Sequence, residues 1–203
     1  MKFLFKDKWK SYLLILFFGI LMGVMSGLTA RLSDDGLWAF GNIGTGTLGI
    51  WMFILSIIVL GSENRKTAVI NTIIFIYSLF FVTAIFRLSD SYLISYATRE
   101  APCTLFEYLT NWDAINWYFG YASEIETLLA VIASPILYFG RKNNWFGKIM
   151  RILPLCYLLL EFVSYFCRVI LEHNQLFTTI VNFVLIIAYF FFIKDSFKKR
   201  ETL

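Results

Sequence analysis

Six apolar segments run through this chain, at about 11–30, 40–60, 67–86, 117–139, 148–171 and 175–193. A helix needs about 20 mostly apolar residues to cross the hydrocarbon core of a bilayer, so each segment reads as a membrane span. The linkers carry the charge, and they carry it unevenly. Of the 18 Lys and Arg residues, 14 fall before residue 11, at Arg65-Lys66, between 141 and 151, or from Lys194 onward, all on one side of an alternating topology. Only Arg31, Arg87, Arg99 and Arg168 fall on or near the other side. Because Lys and Arg accumulate in the cytoplasmic loops of membrane proteins, the pattern predicts an all-α, six-span bundle with both termini cytoplasmic. It reads as one integral membrane domain over 1–203.

Composition closes off the soluble classes. With 59% hydrophobic and 16% charged residues and a mean hydropathy of +0.69, a chain of 203 residues lacks the polar surface a soluble domain needs. The net charge of +4 is spread over four short loops that flank spans, a placement that suits anionic headgroups and not nucleic acid. The first 30 residues have a basic start, as signal peptides do, but the apolar run is long and reads as a retained span. Cys156 and Cys167 lie eleven residues apart on one helix, about 16 Å by helical rise, too far to bridge.

Span one carries Gly19, Gly23 and Gly27 at four-residue spacing. Small residues at that spacing make a smooth helix face that a neighbour can approach closely. The face suits packing within the bundle first, with a homo-oligomer or a membrane protein partner as the alternative. In span two, Gly44-Thr45-Gly46-Thr47-Leu48-Gly49 matches GxGxxG, but no strand precedes it and no βαβ unit surrounds it, so it is no dinucleotide fingerprint. The glycines at 41, 44, 46 and 49 loosen that helix or permit close packing. Residues 87–116 form the most polar stretch, in which Leu105, Phe106, Leu109, Trp112 and Ile115 predict a short helix lying in the outer interface. Tyr92, Tyr96, Tyr108, Trp112, Trp117, Tyr118 and Tyr121 give the same region an aromatic belt.

Charges inside spans are the sharpest functional pointers, since each costs on the order of 2.5–3.5 kcal/mol at a helix centre. Glu161 lies mid-way along span five, and Ser164, Tyr165 and Arg168 share its face by helical spacing. Pro154 lies on that face too and can kink the inner half. Glu124 and Glu126, about 200° apart on span four, cannot both face Glu161. Arg87 ends span three and can supply a counter-charge, and Asn182 of span six adds a polar group. Together Glu161, Tyr165, Arg168, Glu124 or Glu126, Arg87 and Asn182 predict either a ligand-binding polar pocket in the outer half of the bundle or a structural polar network. His173 is the single histidine, and no spacing of metal ligands, activated thiolate or diphosphate-binding acidic cluster occurs. The expectation is a protein that is not an enzyme and uses no cofactor or metal.

Three stretches, GILMGVMSGLTARLSD, GIWMFILSIIVLGSENRKTAVINTIIFIYSLFF and NWFGKIMRILPLCYLLLEF, resemble a bacterial family of small six-helix integral membrane proteins known only as a domain of unknown function. That resemblance implies the fold and a place in the plasma membrane of a bacterium, and no activity. In layout the chain is also similar to the substrate-binding subunits of energy-coupling-factor vitamin transporters, which meet their partners through small residues on the first helix. Gly19, Gly23 and Gly27 are the matching positions. The readings left open are a ligand- or partner-binding membrane protein, a transporter subunit, and an interaction or immunity-type protein that docks through the glycine face.

Overall fold

The computed structural model describes residues 4–32, 36–38, 48–98, 104–111 and 121–198, with the backbone alone for 48, 95–96, 108–109, 121–126 and 195–198. Seven α-helices lie among the described residues: α1 (Trp9–Thr29), α2 (Leu48–Gly61), α3 (Arg65–Ala97), α4 (Leu105–Leu109), α5 (Tyr121–Tyr138), α6 (Trp145–Glu172) and α7 (Leu176–Lys198). A 3-10 turn, Phe139–Arg141, follows α5. The one pairing of extended backbone among them is an isolated parallel bridge from Phe5 to Ser62.

Helices α1, α3, α6 and α7 are long and apolar enough to cross a membrane. Their surfaces agree with that solvent: on α6, Leu160 and Leu171 are 71% and 78% exposed, a placement that water would penalise and lipid would not. The helices covering the second and fourth apolar segments are shorter, 14 and 18 residues, and 40–47 and 117–120 lie outside the described residues.

Contacts fix how the helices run. The three glycines of α1 pack on α3 of the same chain. A Cβ on Gly19 would stand 2.8 Å from Phe75 O and overlap Ser78, one on Gly23 would stand 2.7 Å from Leu79 O and 2.8 Å from Val82 Cβ, and one on Gly27 would overlap the Phe86 ring. Rising numbers on α1 meet rising numbers on α3, so the two helices run the same way. Between them α2 returns: Leu4 and Phe5 donate to Gly61 O, and Glu63 N–H donates to Phe5 O, which places the end of α2 beside the start of α1. Helix α5 ends there too, where the Tyr138 hydroxyl donates to Glu63 O at 2.9 Å. Helix α7 passes the same end, with the Tyr189 hydroxyl on Arg151 O at 3.2 Å. At the opposite end, Gln175 and Leu176 N–H donate to Gly36 O and Leu37 O. The core between α1, α2 and α3 is built from Ile15, Ile50, Ile54, Ile58, Phe75 and Ile76.

Two sequence expectations change. The third segment does not stop near Phe86: α3 continues to Ala97, 33 residues or about 50 Å. Leu88 is buried at 3% exposure, Ser89 Oγ bonds back to Ile85 O, and Asp90 pairs with Arg31, so 87–97 gain contacts by staying helical. The expected interfacial helix is a single turn and a half, Leu105–Leu109. Thr104 and Glu107 cap it reciprocally, Thr104 N–H donating to Glu107 Oε2 at 2.8 Å and Glu107 N–H to Thr104 Oγ1 at 3.3 Å. Of the expected aromatic belt, Trp112, Trp117 and Tyr118 and the side chains of Tyr96, Tyr108 and Tyr121 lie outside the described residues.

Candidate functional site

Helix α6 is fixed at both ends. Asn144 Oδ1 accepts from Gly147 N–H at 2.8 Å, and His173 takes the left-handed conformation at φ 51° while its N–H reaches Arg168 O. His173 therefore has a local backbone role, and Cys167 nearby is an exposed free thiol. Between those caps, one face of α6 turns inward, with Leu158 at 0% and Tyr165 at 8% exposure.

Glu161 lies on that face and crosses to α2. A Cβ on Gly49 would overlap Glu161 Oε2 and stand 2.9 Å from Asn182 Oδ1. Two oxygens, from α6 and α7, thus converge on the backbone of α2 at a position where any side chain would displace them. Asn182 is 1% exposed, and neither its Oδ1 nor its Nδ2 has a hydrogen-bond partner among the described residues. A turn further along α6, the Arg168 guanidinium lies over the Tyr165 ring, 5.6 Å from its centre. Of the sequence-predicted residues, Glu161 and Asn182 meet at Gly49, and Tyr165 and Arg168 pair a turn further along.

Arg87 is placed elsewhere. It lines a cavity of about 520 Å³ between α2, α3 and α5, whose wall includes Tyr157 of α6 but none of those four residues. Glu124 and Glu126 belong to the first turns of α5, and their side chains lie outside the described residues. Among the described residues no group of three His, Cys, Asp or Glu side chains could hold a metal ion.

Sequence reasoning missed Gly49 as the partner of Glu161, because only the tertiary fold shows which backbone a buried carboxylate approaches. It also read Arg141 and Arg151 as loop cations, whereas each is 6% exposed. Arg141 donates to Ser62 O, and Arg151 Nε to Gly147 O at 3.2 Å. Around them Asn71 Nδ2 donates to Ser62 Oγ at 3.1 Å, and Asn64 Oδ1 caps α3 through Thr67 N–H at 2.8 Å. The polar residue Asn71 inside an apolar run was the available signal. These contacts tie the α2–α3 turn to the α5–α6 turn, a structural task.

Comparisons with family models, with curated proteins and with solved structures find no match to this chain.

Proposed function

We propose that this is a six-span protein of a bacterial plasma membrane, its termini cytoplasmic, that binds a small polar ligand inside the bundle without transforming it. The alternating helix directions support the span count, since Lys6, Lys8, Lys10, Arg65, Lys66, Arg141, Lys142 and Lys148 all collect at one end. The observation that carries the ligand reading is Asn182. A buried amide with neither polar atom partnered costs about 1–3 kcal/mol per group; Asn182 has no partner among the described residues, and it faces Glu161 across Gly49. A ligand that donates to Glu161 and Asn182 Oδ1 and accepts from Asn182 Nδ2 answers both groups; an amine or amide with an adjacent carbonyl has that pattern.

Native mass spectrometry of the protein extracted in mild detergent tests this. A bound small molecule present in wild type and absent from a folded Glu161→Gln variant supports the reading. If wild type carries none and Asn182→Leu simply raises thermal stability, the cluster is an unfilled polar defect and the reading is lost. Docking of a second protein through the glycine face of α1 gains no support, because α3 already covers it.

A further inference from the structure

The cavity at Arg87 lies apart from the Glu161 cluster, and its inference stands without that reading. Along α3 its wall runs from Thr72 to Arg87, 15 residues or about 22 Å of helix. The volume, about 520 Å³, falls in the usual range of ligand sites, roughly 300–1,000 Å³. The wall contains hydroxyls, and four of them are already used. Ser56 donates to Met52 O, Thr72 to Ala68 O, Thr83 to Leu79 O and Ser134 to Val131 O. Each satisfies its proton on its own helix, so the surface offered to an occupant is mostly hydrocarbon, with the Tyr157 side chain on the α6 side.

The charged residue among those lining it is Arg87. Its guanidinium has no hydrogen bond or ion pair among the described residues, and it lies at the end of the cavity nearest the Arg31–Asp90 pair. Asp90, three residues on along the same helix, is a carboxylate within helical reach, but Arg31 holds both its oxygens, at 2.6 and 3.2 Å. The result is a long apolar slot with a positive charge at its mouth that no described residue pairs.

We propose that this cavity binds a single-chain anionic amphiphile, with the acyl chain along α3 and the carboxylate or phosphate head on Arg87. Length agrees with this occupant: one leaflet of hydrocarbon is about 15 Å deep, and the slot exceeds it. Charge agrees too, since a guanidinium pairs with either head in a bidentate fork. A neutral apolar molecule would leave Arg87 unanswered, and a polyanion would have no polar wall to meet.

Trp51 lines the cavity and reports on it directly. The full chain is reconstituted in neutral phosphatidylcholine vesicles, and doxyl-labelled stearate or its methyl ester is added at alkaline pH. Quenching of the Trp51 signal is taken as the difference between wild type and Trp51→Phe. Saturable quenching by the acid, displaced by unlabelled stearate and about tenfold tighter than by the ester, is expected. Arg87→Gln, with unchanged helicity and elution volume, should bring the acid down to the affinity of the ester, a tenfold loss that corresponds to about 1.4 kcal/mol. Quenching that rises linearly with label in the bilayer, equal affinities for acid and ester, or an Arg87→Gln variant that binds the acid as wild type does would each overturn the proposal.

Discussion

Arg31 holds Asp90 in a two-point ion pair, Nη2 to Oδ1 at 2.6 Å and Nε to Oδ2 at 3.2 Å. The same guanidinium lies 5.1 Å from the centre of the Phe86 ring. Gly27 meets that ring from one turn earlier. Arg31 is therefore the fourth rung of the ladder begun by Gly19, Gly23 and Gly27, and it closes the α1–α3 seam with charge where the glycines close it with contact. The side chains are 42% and 36% exposed, so solvent screens the pair. A double-mutant cycle of Arg31→Gln and Asp90→Asn should return a coupling of about 0.2–1 kcal/mol, smaller at high salt. A coupling of zero at low salt would show that the pair only decorates the seam.

The glycine rungs should matter more. Gly23→Leu drives a side chain into Leu79 O and Val82, and overpacking of this kind costs about 1–3 kcal/mol. Denaturant titration in detergent measures it. Met25→Leu, on the exposed side of α1, should stay within about 0.5 kcal/mol of wild type.

At Gly49 a single methyl overlaps Glu161 Oε2. Gly49→Ala is expected to expel Glu161 from its place beside Asn182 and to lower stability by about 1–3 kcal/mol. Combined with Glu161→Ala, which empties the space, the cost of Gly49→Ala should shrink; strict additivity in the cycle would disprove the contact.

His173 sits at φ 51°, a conformation that glycine reaches freely and β-branched residues do not. His173→Gly should leave α6 at wild-type stability or slightly above it, while His173→Val should cost on the order of 1 kcal/mol. Thermal melts of the two variants decide it, and equal melting points would contradict the capping role.

Hydrogen bonds from Thr104 N–H and Oγ1 hold the Glu107 carboxyl below the usual carboxylate range. Because the folded value is the lower one, this cap helps α4 above the ordinary carboxylate pKa and stops helping as pH falls through the folded value. A carbon-detected NMR titration should place the Glu107 midpoint lower in wild type than in Thr104→Ala. Identical midpoints would count against the capping box.

What the sequence could reveal follows from how far each feature reaches along the chain. Apolar runs and basic linkers are local, so the long helices α1, α3, α6 and α7 were readable. Glu161 was readable because a carboxylate in an apolar helix is costly wherever its neighbours lie, and Tyr165 and Arg168 follow from helical spacing. Asn182 needed only the same reasoning about a polar group in a span. Gly49 and the Arg87 cavity depend on which helices become neighbours, and Arg141 depends on two turns meeting. None of those is written in any one segment. The continuation of α3 past Phe86 was hidden for a similar reason: RLSDSYLISYA is polar enough to read as loop, and Arg31 is what gives Asp90 cause to stay helical.

The seam between α1 and α3 also sets an order of events during synthesis. Helix α1 ends at Thr29 and α3 at Ala97, 68 residues later, and a ribosome adds about 5–20 residues per second. For roughly 3–14 s, then, the newborn first helix presents its grooved glycine flank before the surface that seals it exists. During that interval lipid or the insertion machinery must occupy the groove, and α3 must displace whatever is there.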